Sequence, residues 1–139
     1  MTSRARIRYG TAMEFNLDQR ATINVVRAYG PGVVRIGERS FNRSVVVTAS
    51  TLLEDWRPGR IEDLQASDLD ALLQLHPEVL LIGSGLRQAF PERAVLTALY
   101  AARVGFEIMD TGAACRTYNV LAAEGRNVAA ALIVEPPSS

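Results

Sequence analysis

The sequence contains no lysine: its fifteen basic side chains are all arginine, balanced by fifteen carboxylates. That absence excludes a Schiff-base lysine and a phosphate-loop lysine. A single cysteine and a single histidine exclude an intramolecular disulfide, a cysteine/histidine zinc site and any multi-histidine centre. No metal and no cofactor is therefore expected. A formal net charge of zero argues against nucleic acid as a partner, because its binders carry a basic surplus. Long apolar runs are also missing. Val79 to Ile82 and Val128 to Val134 fall far short of the roughly 20 residues that span a bilayer, so no stable membrane insertion is expected. The N-terminus carries Arg4, Arg6 and Arg8 without a following apolar region, unlike a secretory signal. The expected location is cytoplasmic, with the arginines leaving room for peripheral contact with an acidic surface.

What is present suits a globular chain of 139 residues, 48% hydrophobic and 22% charged. Such a length buries about two-thirds of its unfolded surface without staples. The pattern predicts an arm over 1–21, partly flexible, one α/β domain over 22–135 and a tail over 136–139. The first half reads as strands. Thr22 to Tyr29 is β-branched and aromatic and stops at Gly30-Pro31-Gly32, a turn signal. Val33 to Ile36, Gly37 and Glu38 to Phe41 read as a tight hairpin. Three successive valines in Ser44 to Thr48 suit a strand buried on both faces, which is expected to run on through Leu52 and Leu53 to Trp56.

Helices follow. Ser67 is placed as an N-cap, with Asp68 and Asp70 in the first turn. Leu69, Leu72 and Leu73 share a face, and Pro77 ends the helix. Glu78 to Ile82 is a strand leading into Gly83-Ser84-Gly85. A second helix is expected from Pro91, with Val95, Leu99 and Ala102 at helical spacing and Gly105 closing it. Phe106 to Met109 is a strand, Ala113 to Glu124 a third helix, and Asn127 to Val134 a last strand. Hairpins followed by β-α-β-α-β imply a layered α/β domain with a mixed sheet.

In open α/β sheets ligands sit beyond the strand C-termini. That rule places Gly83, Ser84, Gly85 and Arg87 beside Thr111 at a helix start, where free N–H groups favour an anion. Arg116 and Asn119, three apart, share one face of that helix. A crevice holding a small anion or a nucleotide, in a binding protein or an enzyme, is one reading. The alternative is that the glycines serve turn geometry, Thr111 caps its helix, and Arg116 and Asn119 bond backbone or water. Cys115 aligns with Tyr118 and Ala122 and reads as a buried hydrophobe, not a nucleophile. His76, before Pro77, reads as a loop or capping residue. Neither Asp68 with Asp70 nor Glu54 with Asp55 is placed for acid/base work, so no catalytic residue is assigned. Trp56 reads as a partner anchor or the cover of a core edge.

The last third carries an ordered set of short motifs: Ile82-Gly83-Ser84-Gly85, Met109-Asp110-Thr111, Ala114, Thr117-Tyr118-Asn119 with Leu121, Glu124-Gly125-Arg126, and Ala130-Ala131-Leu132-Ile133. In this it resembles the family that contains mitochondrial respiratory complex I assembly factor three, the adipogenesis-associated Mth-domain proteins and bacterial members of unknown function. The resemblance covers roughly Thr22 to Pro137. It implies a three-layer domain with a β-hammerhead-like element, and a non-enzymatic protein that binds protein partners and aids assembly of a membrane complex. It implies no catalytic residue. Trp56 and Arg126 are the partner-binding candidates, and a homo-oligomer built on an exposed hairpin or Trp56 is a further expectation.

Overall fold

The computed structural model describes residues 22–136; the arm with Arg4, Arg6 and Arg8 and the end of the tail lie outside the described residues. The chain runs β1 (Val26–Gly30), β2 (Val33–Ile36), β3 (Arg39–Phe41), β4 (Val45–Val47), β5 (Leu52–Leu53), α1 (Asp70–Leu73), β6 (Val79–Gly83), α2 (Arg93–Ala102), β7 (Gly105–Met109), α3 (Thr111–Ala123) and β8 (Val128–Leu132). Strands β1-β2-β3 form a three-stranded antiparallel sheet, and β5-β4-β8-β6-β7 a five-stranded mixed one. In the larger sheet β6 is parallel to both β7 and β8, whereas β4 is antiparallel to β8 and to β5. The expected α/β architecture with a mixed sheet, hairpins first and crossovers after, is what forms.

Both faces of the larger sheet are covered, which explains the valine and alanine runs. On one face Val45, Val47, Leu81, Ala130 and Leu132 meet Ala114, Cys115 and Tyr118 of α3 and Val26, Val34 and Phe41 of the small sheet. On the other, Val46, Leu80, Ile82, Ala129 and Ala131 meet Val95 and Leu99 of α2, Leu69 and Leu72 near α1, and Trp56. Three layers result. Ala130 of β8, fully buried, lets α3 approach closely, since a larger side chain there would hold the helix away.

Local chemistry moves several expected boundaries. The first strand begins at Val26, not Thr22, because Asn24 is tied elsewhere: its amide donates to the Thr48 carbonyl at 2.9 Å and its N–H to Ala49. The strand at 44–48 does not run on to Trp56. Thr48 Oγ1 accepts the Thr51 N–H at 2.9 Å, a side-chain turn that reverses the chain and makes β5 a separate antiparallel strand. Ser67 is not the N-cap. A 3-10 turn over Ala66–Leu69 precedes α1 with Gln65 as its N-cap, and Asp68 reaches back to accept the Gln65 N–H at 2.8 Å. Helix α2 starts at Arg93 after Glu92, and Arg103, at φ 58°, supplies the left-handed cap assigned to Gly105. Gly105 instead opens β7. Helix α3 begins two residues earlier than the pattern suggests, because Asp110 caps it by accepting the Ala113 N–H.

Candidate functional site

From adjacent strands β6 and β7 the chain leaves toward opposite faces, to α2 and to α3. Such a divergence opens the crevice in which α/β proteins hold ligands. Here the two loops are joined across it. The Ser84 N–H continues the ladder to the Met109 carbonyl at 2.8 Å, and the Thr111 N–H donates to the Gly85 carbonyl at 2.8 Å. Thr111 Oγ1 accepts the Gly85 N–H at 2.8 Å and donates to the Ile133 carbonyl at 2.7 Å. The space left beside Gly85 and Thr111 is about 20 Å³, close to the minimum for one water. Gly83 belongs to this closure, since a Cβ there would lie 2.9 Å from Thr111 Cα and Oγ1. Gly85, at φ 108°, takes a backbone conformation open to glycine and faces the Glu135 carboxylate.

The remaining sequence-predicted residues are placed as follows. The Ser84 hydroxyl is buried, donates to the Arg87 carbonyl at 2.6 Å and accepts the Ala89 N–H at 3.1 Å. Arg87 is exposed and faces a groove beside the loop. Arg116 and Asn119 share a face of α3, and that face meets the hairpin rather than the loops at Gly83. Arg116 lies over the Tyr29 ring, 5.7 Å from its centroid, and donates to the Tyr29 hydroxyl. Asn119 Oδ1 accepts the Val26 N–H and its Nδ2 donates to the Val26 carbonyl, both at 2.9 Å. The asparagine thus acts as one more rung on the outer edge of β1. The structure therefore brings Gly83, Ser84, Gly85 and Thr111 together around their own hydrogen bonds, with Arg87 outward and Arg116 and Asn119 apart.

A chain with these connected motifs can now be set against known proteins. Residues 26–133 match the family model described as protein of unknown function (DUF498/DUF598). The chain belongs to this family. Among its relatives, the 13 kDa major membrane protein of Francisella tularensis subsp. holarctica is 34% identical over 107 residues, 75% of this chain and 84% of that one. The NADH dehydrogenase (ubiquinone) 1 alpha subcomplex assembly factor 3 of Danio rerio is 32% identical over 117 residues, 83% of this chain and 67% of that one. The solution structure of a Mth938-like domain from Bordetella pertussis superposes with a TM-score of 0.71 at 30% identity, covering 98% of this chain and 95% of that one. The resemblance read from the C-terminal motifs is borne out, and with it a place among relatives of the complex I assembly factors. Among the described residues no helix is long and apolar enough to cross a membrane.

The family motifs can be assigned physical work. In the Glu124-Gly125-Arg126 turn, Gly125 takes φ 81°. Arg126 holds Glu78 through Nε at 3.2 Å, and Glu78 also accepts the Asn127 N–H. The Arg126 guanidinium, with the Asn127 N–H second, holds the Glu78 carboxyl below its usual range. Trp56 is buried in the core and donates Nε1–H to the Asp68 carbonyl at 3.2 Å. Cys115 is fully buried, and desolvation pushes its thiol up to about 12, which suits a structural side chain rather than a thiolate nucleophile. Tyr118, also buried and with its pKa raised by burial, donates to the Asn24 carbonyl at 2.7 Å.

The open space lies on the other side of the loop after β6. A groove of about 660 Å³ is walled by that loop, the Pro31-Gly32 turn, the Arg60 to Glu62 segment and Glu135-Pro136. Glu135 ties it together, accepting the Leu86 N–H at 3.0 Å and lying 3.5 Å from Arg60. Leu86 and Phe90, on the loop, are 60% and 63% exposed. Among the described residues Arg87 has no ion-pair partner. Sequence reasoning missed Arg60, Glu135, Leu86 and Phe90. The signal for the last two was there: two large apolar residues inside a short stretch bounded by Gly85 and Pro91.

Proposed function

We propose that this protein is a non-enzymatic binding factor that takes a protein partner at the loop after β6, in the manner of an assembly factor for a membrane complex. The observation that carries this reading is the contrast within that loop. Its motif hydroxyls and amides are spent on internal bonds, while Leu86 and Phe90 stand exposed on a braced backbone beside Arg87. Ser84, Glu135 and the Gln88 side chain, which donates to the Ile108 carbonyl at 2.9 Å, fix that backbone before any partner arrives. A prefixed loop loses less entropy on binding, and an exposed phenylalanine close to an arginine matches the residue types enriched at protein interfaces. The occupant this favours is an extended protein segment pairing an apolar side chain with an acidic one, the acid meeting Arg87. The kinship with complex I assembly factors supports the same class of role.

The test is affinity capture from lysate with solubilised membranes, comparing wild type with Phe90→Asp and with Arg87→Glu. Proteins recovered by the wild type and lost from both variants are the expected result. An identical set from all three proteins would overturn the reading.

A further inference from the structure

Among the described residues each sheet leaves two edges, and three of the four are more fully blunted than the last. On β1 the Asn119 side chain occupies both polar groups of Val26, and an irregularity in register interrupts pairing between Val26 and Ala28. Strand β3 has three residues, with Arg39 2.8 Å from Glu54, and β5 has two. Short strands, bulges and side-chain caps are the ways proteins keep sheet edges from pairing. Strand β7 has five residues and, among the described residues, pairs with β6 alone.

The register decides which of its groups are free. The Ser84 N–H donates to Met109, so Gly105, Glu107 and Met109 face β6, and Phe106 and Ile108 turn their N–H and C=O outward. The Ile108 carbonyl takes the Gln88 amide. Both groups of Phe106 and the Ile108 N–H have no partner among the described residues. Beside them lies an aromatic pair. Tyr100, 72% exposed, meets the Phe106 ring edge-on at 5.2 Å.

We infer that β7 pairs antiparallel with β7 of a second copy, about a twofold axis at Phe106, joining the two large sheets edge to edge. In that register Phe106 of each copy donates its N–H to, and accepts one from, Phe106 of the other, and the Ile108 N–H meets Val104. The two Phe106 rings stand opposite each other, flanked by both Tyr100 rings, a favourable cross-strand arrangement. Charge selects this register over its neighbour. An axis at Glu107 would oppose two like carboxylates, whereas the axis at Phe106 sets Glu107 across from Gly105, which has no side chain. This interface lies apart from the Leu86 groove, and either can fail without the other.

Sedimentation equilibrium of the full chain tests it. The wild type is expected to dimerise. The Phe106 and Ile108 amides should be protected from hydrogen exchange at dimer-forming concentrations and lose that protection on dilution. Phe106→Pro removes the outward N–H without taking a bond from β6, as proline on an edge strand permits, and should give a folded monomer. A wild type that stays monomeric at every accessible concentration would overturn the inference. So would a dimer that is indifferent to Phe106→Pro, or one in which the Phe106 amide exchanges freely.

Discussion

Within the single stretch from Gly83 to Phe90, the first residues turn inward and the last turn outward. Gly83, Ser84 and Gly85 lock against Met109 and Thr111, leaving about 20 Å³. From Leu86 on, the same backbone walls a groove of about 660 Å³ and carries Leu86, Arg87 and Phe90 into solvent. The inward half has the glycines and hydroxyls that a motif reading associates with ligands. The outward half has the exposed side chains on which the proposed partner would sit. Glycine and hydroxyl near a strand end therefore point to a ligand only if their hydrogen-bonding capacity is unspent. Here it is spent on the fold.

The largest effect is expected on the inward side. Thr111→Val keeps the shape but leaves the Gly85 N–H and the Ile133 carbonyl without partners, and should cost about 2–4 kcal/mol in chemical denaturation. Gly83→Ala forces a Cβ against the α3 backbone and should cost about 1–3 kcal/mol. Asn119→Ala should cost about 1–2 kcal/mol, with the Val26 amide losing protection from hydrogen exchange.

Much of the layering is legible in the chain itself. The alternation of buried faces in Val45–Val47 and Val79–Gly83, and the small residues of β8, follow from apolar runs too short for helices. The boundaries are less so, because Thr48, Asp68 and Arg103 decide them through single side-chain bonds or one positive φ. The site was half legible. Gly83 to Gly85 and Thr111 do meet, as the strand-end rule predicts. That Thr111 is consumed by Gly85 and Ile133 depends on where β8 ends, and Asn119 finds Val26 far back in the chain. The groove was not legible, because Arg60, Leu86 and Glu135 come from segments that only the tertiary fold unites.

A smaller effect sharpens the account near Trp56. Arg57 holds the Asp68 carboxyl below its ordinary range, and the Gln65 N–H adds to this. A carboxylate with a depressed native pKa stabilises the fold above its unfolded value, and the gain is lost as pH falls through the native one. Wild-type stability should therefore decline below about pH 4, with Asp68→Asn about 1 kcal/mol less stable at neutral pH and showing a shallower acid decline in thermal melts. The smallest change belongs to the outward half. Arg87→Glu and Phe90→Asp should alter stability by less than about 0.5 kcal/mol while abolishing partner capture.

The most direct test of the closed inward half is native-state hydrogen exchange at the Gly85 amide, with and without phosphate. The hydrogen bond to Thr111 predicts strong protection, unchanged by the anion. Rapid exchange in the free protein, or protection that appears only when phosphate is added, would contradict the account and return these residues to the role of an anion site.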